Sequence, residues 1–109
     1  MICDDQCAKF NGCDVWPLGV EGVQITMDDH YRYHMHNKFV IIDSQILLTG
    51  SFNWTAQAVY GNQENLAAIE SPKLVEMYQV EFDKLWEQFK DQRITKENAQ
   101  TELDAYLER

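Results

Sequence analysis

Several things are scarce in this chain of 109 residues, and each scarcity narrows what it can be. Basic residues are scarce: nine Lys and Arg stand against eighteen Asp and Glu, a net charge of -9. Residues 1–69 carry eight acids and three bases and residues 70–109 ten and six, so neither stretch is basic and no nucleic-acid face can be read from charge. Any phosphate the chain holds must be met by a local arrangement of donors. Cysteines number only three, Cys3, Cys7 and Cys13, without a second Cys or Cys/His pair at zinc-finger spacing, so they are expected to be buried reduced thiols. No apolar run reaches spanning length and no charged-then-apolar leader opens the chain, which as it stands therefore reads as soluble and cytoplasmic. There is no internal repeat or low-complexity stretch, so a symmetric site requires a second copy of the chain. With 45% hydrophobic and 12% aromatic residues, one small folded domain is expected.

What is present has alternating β and α signals, and the expected fold class is α/β: a mixed sheet covered by C-terminal helices. VQITM (23–27), HNKFVIID (36–43) and QILLTG (45–50) are rich in β-branched and apolar residues. The very short connection at Asp43-Ser44 lets the last two pair as a hairpin. TAQAVYG (55–61) suits a helix stopped at Gly61-Asn62, and ENLAAIE (64–70) reads as another buried strand. Ser71-Pro72 supplies an N-cap and a first helical position where proline's missing N–H is harmless. Leu74, Val75, Tyr78, Phe82, Leu85, Trp86 and Phe89 then recur at three and four, predicting an apolar helix over 72–90 that packs on a sheet. A more polar helix follows Thr95, its apolar residues being Leu103, Tyr106 and Leu107. The segment before residue 23 gives few boundaries. The expected organisation is a domain over 1–90 and a helical tail over 91–109.

The chemistry concentrates in HNKFVIID and in GSFN, seven residues after Asp43. On a strand, residues two apart share a face, so His36 and Lys38 are expected to project together, while Asp43 has the opposite parity and faces the scaffold. Ser51 and Asn53 share parity just past the neighbouring strand. A phosphodiester needs a nucleophile, neutralisation of developing charge and an acid for the leaving oxygen. Neutral His36 can attack to form a phosphohistidine. Lys38, Ser51 and Asn53 can donate to non-bridging oxygens, and a carboxylate on the other ring nitrogen, with Glu64 as the candidate, would hold the productive tautomer. The leaving-group acid and the water-activating base are missing from one copy, and a two-fold dimer would supply them through a second His36. Read singly, His30 and His34 are structural or surface residues, Lys38 a strand-edge gatekeeper, and Ser51 and Asn53 turn residues. A non-catalytic interaction module is the rival reading from another class.

The run HNKFVIIDSQILLTGSFNWTAQAVYGNQEN resembles the phospholipase D superfamily signature, and the Phe82/Trp86/Phe89 helix fits the same pattern. The resemblance implies a metal-independent phosphodiesterase without cofactor, built as a homodimer in which each subunit gives one H-x-K motif. It implies His36 as nucleophile or general acid, Lys38 and Asn53 binding phosphate, Ser51 and Glu64 supporting, and Asp43 structural. Members nearest this pattern cleave cardiolipin to phosphatidate or cut single-stranded RNA in piRNA maturation, at the mitochondrial outer membrane. It also implies an N-terminal anchor, a small zinc-binding module and further strands and helices ahead of the matched portion, so the chain reads as the C-terminal part of such a domain.

Overall fold

A computed structural model describes residues 1–9, 12–29 and 32–108, and the expectation made for His30 lies outside them. The chain divides into two compact units, one formed by residues 1–36 and 85–109 and the other by residues 37–84. Each has its own three-stranded sheet, so the strands expected in one mixed sheet are shared between two, within the expected α/β class.

In the first unit, β1 (Ile2–Cys3) runs parallel to β2 (Ile25–Met27), and β2 pairs antiparallel with β6 (Arg93–Ile94). All three β2 residues are buried, as the centre of a sheet requires. Ile25, Met27, Ala8 and Val15 form the core, with Trp16 and Ile94 packed against it. Thr26 is fully buried and is satisfied by donating its hydroxyl to the Phe89 carbonyl at 2.6 Å. The segment that gave few boundaries in sequence holds β1, a 3-10 turn at Cys7–Lys9 and α1 (Val15–Val20). Helix α4 (Lys96–Leu107) begins where Thr95 accepts the Asn98 N–H at 3.1 Å. It docks on α1 through Ala99, which is fully buried, whereas Leu107, expected on its apolar face, is exposed. A small residue wins here because the helices approach closely: a β-carbon on Gly19 would stand 2.8 Å from that of Ala99.

In the second unit, β3 (Phe39–Ile42) and β4 (Ile46–Gly50) form the expected hairpin, in register from Phe39 opposite Thr49 to Ile42 opposite Ile46. Asp43 and Ser44 both take left-handed backbone, φ 53° and 57°, the conformation that lets a tight turn follow the strands' twist. β4 is central, carries the buried Leu47, and pairs on its other side with β5 (Leu66–Glu70). β5 corrects the expectation of a buried strand: four of its five residues are exposed, because it is an edge strand with one ladder partner. Helix α2 (Ala56–Tyr60) is capped by Thr55, whose hydroxyl accepts the Ala58 N–H at 3.2 Å. Helix α3 (Pro72–Gln88) starts at Ser71, which accepts the Leu74 N–H, and within this unit it packs on β3 through an edge-to-face contact of Phe39 and Tyr78, centroids 5.1 Å apart.

Candidate active site

His36 and Lys38 precede β3, which begins at Phe39, so strand alternation does not orient them as expected. The β3–β4 ladder ends there: Phe39 opposite Thr49 is its last rung, while on the other side of β4 the ladder with β5 runs one residue further, to Gly50 opposite Leu66. His36 is exposed and ends the first unit, and Lys38, half-buried, lies in the second. Asp43 is an exposed residue of the hairpin turn, a position for which Asp is suited because its short polar side chain tolerates left-handed backbone.

The GSFN loop is built around Gly50, since a β-carbon there would stand 2.2 Å from the Asn65 carbonyl oxygen. This approach allows the Ser51 N–H to donate to that carbonyl at 3.1 Å, while the Asn65 N–H donates back to the Ser51 hydroxyl at 3.1 Å. The Ser51 hydroxyl in turn donates to Glu64 Oε2 at 2.5 Å, and Asn62 donates to Glu64 Oε1 at 3.2 Å. Glu64 thus holds the loop with both oxygens, and Ser51 has its single hydrogen on that carboxylate. Asn53 is exposed, its carbonyl accepting the Thr55 N–H at 2.9 Å, and the rings of Phe52 and Trp54 meet edge to face. Ser51, Asn53 and Glu64 are therefore brought to one end of the second unit's sheet.

A second polar arrangement lies in the first unit and was missed in sequence. Asp4, 6% exposed, accepts from the Gln6 and Cys7 N–H groups on Oδ1, each at 2.9 Å. Its Oδ2 meets His34 Nδ1 at 2.7 Å and the Met35 N–H at 3.1 Å. Burial works against the charge, but hydrogen bonds from the Cys7 N–H, His34 and the Gln6 N–H outweigh it and hold this carboxyl below the usual range. His34, expected to be a structural or surface histidine, is a half-exposed imidazole anchored to a buried carboxylate. No sequence signal marks this pair, which lies thirty residues apart.

Asp4, Asp5 and Asp28 bring carboxylate oxygens within 4.8 Å of one another. Asp28 is pushed up, first by burial and then by the neighbouring carboxylates, against the Asp5 N–H that it accepts at 2.8 Å. Asp4 has four donors already, which leaves it little capacity to ligate a cation. The cysteines are free thiols: Cys3 and Cys13 are half-buried and Cys7 is exposed, which corrects the expectation of burial for Cys7, where a surface turn begins. Burial first, and then the nearby thiols and carboxylates, push the Cys3 thiol up to about 12.

With this geometry in place, comparison with known proteins defines the class. The family described as cardiolipin synthase, PLD-like domain, matches residues 3–86, and the chain belongs to that family. Among curated relatives, it is 44% identical over 90 residues to a mitochondrial cardiolipin hydrolase of Chlamydomonas reinhardtii, covering 83% of this chain and 40% of the relative. It is 37% identical over 95 residues to the mitochondrial cardiolipin hydrolase of Homo sapiens, covering 87% of this chain and 37% of that protein. The chain thus spans about two fifths of the length of these relatives. Among solved structures, it is similar to Nuc of Salmonella typhimurium, a phospholipase D family member, with TM-score 0.71 and 25% identity over 85% of this chain and 60% of that one. No helix among the described residues is long and apolar enough to cross a membrane.

Proposed function

We propose that this chain supplies one half of a metal-independent phosphodiesterase site that hydrolyses a phospholipid of the cardiolipin type through a phosphohistidine. The observation that carries the reading is the ordered pair of motifs, H-x-K-x4-D and G-S-x-N, inside a matched phospholipase D-like domain and backed by the Glu64–Ser51–Asn65 network. His36 attacks phosphorus as a neutral imidazole, and the bond to the leaving alkoxide breaks. His36 of a second copy gives that oxygen its proton, and then takes one from the water that releases the phosphate. Lys38 and Asn53 neutralise the non-bridging oxygens, and Ser51 joins them by exchanging its bond to Glu64 for one to phosphate. Glu64 supports the loop and is the carboxylate available to an imidazole, and Asp43 shapes the hairpin that delivers the motif. Such a protein would act at the mitochondrial outer membrane.

The test is hydrolysis of bis(p-nitrophenyl) phosphate by wild type and His36→Ala, with sedimentation of both. A loss on the order of a thousandfold or more is expected from removal of a covalent nucleophile, in a folded dimer whose wild-type activity survives EDTA. Turnover by His36→Ala at the wild-type rate would sink the assignment, and a strictly monomeric active chain would remove the shared site.

A second reading, a single-strand endoribonuclease, draws on Trp54 and Tyr60, 67% and 88% exposed, rings on which unpaired bases can stack. The net charge of -9 opposes it. Turnover of cardiolipin vesicles and of single-stranded RNA, measured side by side, separates the two.

A further inference from the structure

We infer that Asp4 is a positioning residue for His36, acting through the His34 ring and the Met35 backbone, a role that rests on the phosphodiesterase reading above. Residues 33–38 have no regular secondary structure, so no ladder or helix fixes the backbone that delivers His36. The Met35 N–H, one residue before His36, is instead bonded to Asp4 Oδ2 at 3.1 Å, and the same oxygen takes His34 Nδ1 at 2.7 Å.

The anchor itself is rigid. Asp4 follows β1, the strand paired to buried β2, and its Oδ1 is locked by the Gln6 and Cys7 N–H groups. One oxygen therefore organises the local turn, and the other reaches thirty residues along the chain to the approach to His36. Only a carboxylate offers two acceptor oxygens to four donors; an amide there turns an NH2 group toward two of them. A neutral His34 donates from Nδ1 to Asp4, which leaves Nε2 as the acceptor on a ring whose side chain is 51% exposed. The held carboxylate charge fits this role.

The experiment compares Asp4→Asn, His34→Ala, His34→Asn and His36→Ala in the 109-residue chain. It uses bis(p-nitrophenyl) phosphate kinetics, thermal melts, and NMR of the Met35 amide and the His36 ring. Asp4→Asn is expected to lower kcat on the order of tenfold to a hundredfold with little change in KM, as misplacement of a reacting group does. His34→Ala should lose less, and His34→Asn, whose amide nitrogen stands where Nδ1 stood, should regain most of that loss. In Asp4→Asn the Met35 amide should lose its slow exchange and the His36 ring signals should broaden.

Wild-type kcat in a folded Asp4→Asn, beside an inactive His36→Ala, overturns the inference. If Asp4→Asn does not fold, the His34 pair decides, and a wild-type kcat in His34→Ala overturns it. If His36→Ala is fully active, the phosphodiesterase reading fails on its own, and the NMR arm decides anchoring. A Met35 amide and His36 ring unchanged between wild type and Asp4→Asn then overturn it, and changes in both support it.

Discussion

The two units hold their key carboxylates in opposite ways. Asp4 in the first unit is almost wholly buried and is surrounded by N–H donors, two of them from a distant segment. Glu64 in the second is partly exposed and holds a surface loop through one hydroxyl and one amide. A buried charge survives only when its donors are fixed in advance, so Asp4 ties the structure together. A carboxylate near water has cheaper alternatives, so the hydroxyl and amide that Glu64 accepts can exchange to water at little cost. The difference teaches that the first unit is built to keep its polar contacts and the second to offer them.

The sharpest way to break this contrast is to delete both carboxylates. Asp4→Ala leaves four donors without their acceptor and is expected to cost about 3 to 5 kcal/mol, on the scale of breaking a buried charged network. Glu64→Ala removes contacts that water can replace and is expected to cost within about 1 kcal/mol, while activity falls far more than stability. Urea denaturation of both variants checks the pair, and equal losses would end the distinction.

The units also use glycine differently. A β-carbon at Gly50 would meet backbone, the Asn65 carbonyl oxygen at 2.2 Å and Leu66 Cα at 3.1 Å, and the β4–β5 ladder cannot retreat without losing its bonds. Gly50→Ala is therefore expected to cost about 3 kcal/mol and to dislodge the Ser51–Glu64 loop. At Gly19 the obstacles are side chains, the Ala99 β-carbon at 2.8 Å and Ile94 Cδ1 at 3.2 Å, and the second is the free end of a flexible chain. Gly19→Ala gains helix propensity worth about 1 kcal/mol, which offsets part of the overpacking, for a net cost of about 1 kcal/mol. Thermal melts of the two variants should rank them in that order.

Much of the second unit was legible in sequence because its signals are local. Asp43-Ser44 marked a tight hairpin and Ser71-Pro72 a helix start, each depending on neighbours within a few residues, and the Thr95 cap in the first unit was legible for the same reason. The first unit was harder to read because its determinants lie far apart. β1 and β6 have two residues each and exist only through their pairing with β2, and Asp4 finds His34 and Met35 thirty residues away. Among the site residues, the spacing of His36, Lys38, Ser51 and Asn53 was visible. That β3 begins only at Phe39 depends on where its ladder with β4 ends, and that Glu64 holds Ser51 depends on a contact between residues thirteen apart, neither of which a local pattern shows. The apolar composition of Leu66–Glu70 suggested burial, but composition does not say which strand lies at an edge.

The smallest expected effect concerns Cys3, and it extends the contrast to pH. Its thiol is raised from 9.0 to about 12, chiefly by burial and then by the neighbouring thiols and carboxylates, so the folded state disfavours the thiolate. A group whose folded pKa is raised contributes stability fully below its unfolded pKa, and that contribution is lost as pH rises through the folded one. The relevant window runs from pH 9 to about 12. One pH unit into that window the loss is about 1 kcal/mol, the full 1.4 being reduced because Cys3 is only half-buried and water screens part of the effect. Cys3→Ala lacks this titration, so the stability difference between wild type and Cys3→Ala should shrink in favour of the variant as pH rises from 8 to 10. A difference that stays constant across that range would mean the thiol is as well solvated in the folded chain as in the unfolded one, and the first unit would not shield its polar groups to the degree that Asp4 implies.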